Sequence, residues 1–152
     1  MNAIHRRRTL GFSLIEVLVF VSVISVFFVS AAAVVSIILR NMKVTEHKLI
    51  GTRYAEEAVE WLRSEKETDW NTFVTHAPLS TGTEYCINTL TWSSATCTYT
   101  MDNLFKRTVS VSSQQSADGF KYQVNAEVLV EWQEAGKTYQ IPIDTVFSVW
   151  EQ

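Results

Sequence analysis

Residues 12–39 read FSLIEVLVFVSVISVFFVSAAAVVSIIL, between Gly11 and Arg40, and Glu16 is the one charge among them. At ~1.5 Å per residue a helix over this run reaches roughly 42 Å, more than the ~30 Å hydrocarbon core of a bilayer. Val, Ile and Phe dominate, a composition that favours strands in water. In lipid the backbone must satisfy its own hydrogen bonds, so the run is expected as a helix. The chain holds no second run of this kind, which excludes a multi-span transporter.

Three readings of this run compete. A secretory signal peptide would use Arg6, Arg7 and Arg8 as its positive region and Ser30-Ala31-Ala32-Ala33 as its cleavage site. The apolar core before that site exceeds the usual ~7–15 residues, and the apolar run continues past the alanines. An uncleaved anchor would have to accommodate Glu16, since an ionised carboxylate at mid-span costs ~3 kcal/mol. Glu16 lies near the start of the run, where the cost is lower, but it still asks for a partner. Basic residues on the two sides (Arg6, Arg7, Arg8 against Arg40, Lys43, Lys48) balance, so they do not set orientation.

The third reading rests on Gly11-Phe12-Ser13-Leu14-Ile15-Glu16, which resembles the processing motif of type IV prepilins and type II secretion pseudopilins. The resemblance implies a basic leader (1–11), an assembly and transmembrane half-helix (12–39), an amphipathic half-helix (40–68) and a β-rich head (69–152). It implies that a prepilin peptidase cuts between Gly11 and Phe12 and methylates the Phe12 amine. Glu16 would then sit one helical turn from that amine and pair with the amine of a neighbouring subunit, setting register inside an apolar seam. Many major pilins of this family carry Pro where this chain has Ala33, so a minor pilin or pseudopilin is favoured. The partners implied are prepilin peptidase, major and other minor subunits, an assembly platform with its ATPase, and the membrane. The implied location is the inner membrane with the head outside, then a filament.

Beyond Arg40 the chain turns polar but keeps helical spacing, with Gly51, Tyr54, Ala55, Ala58, Trp61 and Leu62 near one face. One helix from about Phe12 to about Lys66 is expected, Gly51 being a candidate bend. A break near Asn41 is the competing reading. The segment RYAEEAVEWLR (53–63) also resembles, more loosely, the docking helix of minor pilins.

Residues 71–83 read as a loop, punctuated by Pro78 and Gly82. Short strands are expected over 84–92, 96–101 and 105–112. Two stronger ones follow. Phe120, Tyr122, Val124, Ala126, Val128, Val130 and Trp132 alternate with mainly polar residues, and Tyr139, Ile141, Ile143, Thr145, Phe147 and Val149 alternate after a turn at 134–137. Pro142 cannot donate a ladder hydrogen bond and predicts an edge or bulged strand. The expected fold is α+β: a long N-terminal helix, its first half in the membrane, packed against a C-terminal antiparallel sheet, as in pilins.

The formal net charge is −3 and three of the cations lie in the first eleven residues. The acidic remainder gives no reason to expect nucleic-acid binding. Lys106, Arg107 and Lys121 read as a solvated strand face or a small basic patch. Cys86 and Cys97, an even pair, suggest one disulfide closing a short loop, worth about 3 kcal/mol by loop-closure entropy. Two buried free thiols are the other option.

Three scattered histidines and this cysteine spacing offer no metal shell. There is no nucleophile elbow, phosphate loop or calcium loop. Trp92, Trp132 and Trp150 read as packing aromatics. No enzyme, cofactor or metal is expected. The alternative function is an uncleaved, membrane-tethered binding domain; a secreted domain cut near Ala32 is the third.

Overall fold

The computed structural model describes residues 13–79 and 81–149. The chain divides into two compact units, Met1–Lys43 and Val44–Gln152. Helix α1 (Leu14–Thr68) supplies residues to each, and a short helix α2 (Trp70–Phe73) follows. Strands β1 (Thr83–Cys86), β2 (Phe105–Gln115), β3 (Lys121–Glu134) and β4 (Lys137–Ser148) form one antiparallel sheet in the order β1-β2-β3-β4. The architecture is α+β, as expected, and is consistent with a pilin-like fold. The helical assignment continues through Asn41.

In the second unit, α1 docks on the sheet through Gly51, Ala55, Ala58 and Leu62, its four buried residues. Their steps of four, three and four make one stripe along the helix. Three of the four are small, so the helix backbone comes close to the strands. Gly51 is therefore a point of close approach, where the sequence suggested a bend: a Cβ there would lie 3.0 Å from Ile141 Cδ1. The facing layer is Phe105, Val109 and Val111 of β2 with Val124, Ala126, Val128, Val130 and Trp132 of β3, all buried. The alternation of β3 thus holds over five positions. Tyr122 is half-buried, and Phe120, which precedes the strand, is 43% exposed.

The β3–β4 turn forms at the expected residues. Ala135 and Gly136 both take positive φ, 50° and 75°, the twist that joins antiparallel strands through two residues. Strand β4 is an edge, which is why Pro142, opposite Leu129, is tolerated.

Four expectations are corrected. The loop over 71–83 begins inside α2, because Asp69 caps that helix: its side chain accepts from Asn71 N at 2.9 Å and from Thr72 Oγ1 at 2.5 Å. These bonds, Thr72's side chain first, hold the Asp69 carboxyl below its ordinary pKa. The strand over 84–92 ends at Cys86, since Asn88 turns its side chain to Thr98 O and Thr100 Oγ1, each at 2.8 Å, and Leu90 takes a φ of 52°. No strand forms over 96–101. Only Met101 bridges to Phe105, across a turn in which Asp102 and Asn103 have φ of 49° and 53°. The strand expected over 105–112 runs on to Gln115.

Candidate functional site

The first unit offers an apolar helical surface. Among its described residues the side chains from Leu14 to Leu39 are exposed, and α1 is long and apolar enough there to cross a membrane. Four of its serine hydroxyls are closed onto the helix's own backbone. Ser22, Ser25, Ser30 and Ser36 donate to carbonyls three or four residues back at 2.7–2.9 Å, which spares each hydroxyl an unmet bond in lipid. Glu16 lies in the first turn of α1, and its own backbone N–H donates to Ser13 O at 3.0 Å. Its carboxylate is exposed, where the positive end of the helix favours it. Gly11 and Phe12, the proposed cleavage junction, lie outside the described residues, as does Trp150.

In the second unit, Cys86 and Cys97 are joined in a disulfide, their Cα atoms 5.0 Å apart. The loop it closes lies against one side of Arg107, the side chain that its charge alone would place in solvent. Arg107 is 1% exposed, so neither a basic patch nor a solvated face describes it. Its Nε donates to Ile87 O at 3.1 Å and its Nη2 to Asn88 O at 3.4 Å. Its Nη1 donates to Tyr54 O at 2.7 Å and to Glu57 Oε2 at 2.8 Å. One guanidinium thereby ties the disulfide loop to α1. The planar fork suits this, because several donors leave in fixed directions. The signal was present in the parity of β2: Arg107 shares a face with Phe105, Val109 and Val111.

The other two basic residues of that group are also engaged. Lys121 Nζ donates to Val74 O and Ala77 O at 2.9 and 2.7 Å. Lys106 Nζ pairs with Glu131 at 3.0 Å. Glu131 also accepts from Tyr99 and, at 3.0 Å, from Gln140. Partial burial works to raise the Glu131 pKa, but the bonds from Tyr99, Gln140 and Lys106 outweigh it, and the net direction is down. Lys106 and Tyr99 are both raised, each first by its bond to Glu131.

Aromatic packing closes the other side. Trp92 stacks on His76 with centroids 4.3 Å apart, meets Trp61 at 5.0 Å, and donates to Glu65 at 3.0 Å. Trp132 stacks on Tyr139 at 5.4 Å. These tryptophans pack the fold, as expected. Among the described residues no cluster of His, Cys, Asp or Glu could hold a metal ion.

No family model, no curated protein and no solved structure matches the chain.

Proposed function

We propose that this chain is the precursor of a minor pilin or pseudopilin, a structural subunit of a type IV pilus or a type II secretion-like filament. In this reading a prepilin peptidase cuts after Gly11 and methylates the Phe12 amine. The trimmed subunit then leaves the membrane for a filament built with major and other minor subunits on an assembly platform. The observation that carries the reading is the pairing of Glu16 with an otherwise uncharged, wholly exposed helix surface over 14–39. Exposed apolar surface of this extent needs a bilayer or neighbouring helices around it. A carboxylate at its start needs a cation in the same place. A new amine one turn away, on a neighbouring subunit, meets both needs. The stripe of small residues that seats α1 on an antiparallel sheet supports the same reading.

The test is the N-terminal mass of the protein purified from membranes of a cell that has the peptidase. A methylated Phe12 start is expected. Retention of the residues before Gly11 would instead mark an uncleaved membrane-anchored binding domain, and a start near Ala33 a secreted one.

A further inference from the structure

The Cys86–Cys97 disulfide and the Arg107 cage are parts of one chain of contacts. Cys97 Sγ lies 3.4 Å from Arg107 O, and the residues after it, Thr98 and Thr100, hold the Asn88 side chain at 2.8 Å each. Asn88 Oδ1 in turn accepts from Arg107 N at 2.7 Å, and Asn88 O accepts from the guanidinium. Just past the end of β1, Ile87 N donates to Arg107 O at 3.0 Å. Beyond it, Asn88 is held by Arg107 N and by Thr98 and Thr100, the residues that follow Cys97, and Cys86 N also donates to Ser93 O at 2.8 Å. The far side of the guanidinium is α1, at Tyr54 and Glu57. On the outer face, both cysteines line an open groove of about 350 Å³ with Glu84, Thr96, Lys106 and Thr108.

We infer that this disulfide is a redox latch on helix docking: closing the loop assembles the carbonyl cage that holds Arg107, and Arg107 then holds α1 to the sheet. The partner that sets it is a thiol–disulfide oxidoreductase acting from the groove. One cysteine thiolate attacks the partner's reactive disulfide and displaces one partner thiolate. The second cysteine then attacks the mixed disulfide, forming the Cys86–Cys97 bond and releasing the partner as a dithiol. Two electrons pass to the partner, with the two thiol protons. The latch does not depend on the filament reading, since it needs only such an oxidant.

The test is hydrogen exchange on the full-length chain in detergent micelles, oxidised and after reduction, with reduction verified by thiol alkylation. Reduction is expected to speed exchange over 50–62 of α1 by at least about tenfold, as loss of charge-assisted buried bonds implies, and the 121–148 hairpin much less. Arg107→Met in the oxidised chain is expected to match that acceleration, and reducing this variant to add less than about twofold more. Faster exchange confined to 87–104 would overturn the latch. So would equal acceleration across β3 and β4, which marks a general staple, or independent, multiplying effects of reduction and Arg107→Met. The reduction arm needs no variant, so a poorly folding Arg107→Met leaves it decisive.

Discussion

Gly51 and Trp132 meet where α1 crosses the sheet: a Cβ on the glycine would stand 3.3 Å from Cζ3 of the tryptophan and 3.0 Å from Ile141 Cδ1. Trp132 is fully buried and stacked on Tyr139, so it has little room to move. Ile141 offers only the end of a flexible side chain on an edge strand. Gly51→Ala gains about 1 kcal/mol of helix propensity and loses a similar amount to crowding. Its stability is expected within about 1 kcal/mol of the parent. Gly51→Leu has no such space and is expected to lose more than about 2 kcal/mol. Denaturant unfolding followed by tryptophan fluorescence checks both, and a stable Gly51→Leu would contradict the close approach.

Arg107 and Glu57 form one ion pair with unequal members. The arginine is buried, while the Glu57 side chain is 53% exposed. Arg107→Lys leaves a single ammonium that cannot reach the carbonyls of Ile87, Asn88 and Tyr54 together, and is expected to destabilise by about 2–4 kcal/mol. Glu57→Gln removes only a solvent-screened partner and is expected to change stability by less than about 1 kcal/mol. Equal losses in the two variants would show that the charge pair, and not the carbonyl cage, holds the arginine.

Glu131 makes stability depend on pH with a definite sign. Its folded pKa is depressed, so its contribution is present above the ordinary glutamate pKa and is lost as pH falls through the lower folded value. Lys106 and Tyr99 are raised; their contributions hold below their ordinary values near 10 and are lost as pH climbs past the raised ones. Glu131→Gln is therefore expected to be less stable than the parent at neutral pH, with the gap closing in acid below the ordinary carboxylate range. Unfolding midpoints measured across pH decide this; a gap that stays constant into acid would remove Glu131 as its source.

Glu16→Leu raises the apolar character of the run and should insert in membranes at least as well as the parent. Under the filament reading it loses the charge that answers the neighbouring amine, so its incorporation into filaments is expected to fall sharply. Membrane fractionation and sheared-filament immunoblots separate the two steps. Normal incorporation would remove the role given to Glu16.

Much of this molecule is legible in local pattern, because period and composition report which face of an element is apolar. The apolar run over 12–39 with its single charge, the stripe Gly51-Ala55-Ala58-Leu62, the alternation of β3, the turn at 134–137 and the edge at Pro142 are all readable that way. Residues 87–104 are not. Threonine-rich and aromatic, they carry strand propensity, but a disulfide, the side chain of Asn88 and positive φ at Leu90, Asp102 and Asn103 bend them into a cage. Arg107 shows the division most sharply. Its parity within β2 places it on the buried face, yet charge alone argues for solvent. The conflict is settled by carbonyls that lie about twenty residues before it and by α1 some fifty residues before it. A local window records which way a side chain points; only the tertiary register decides whether partners wait there to make a buried charge stable.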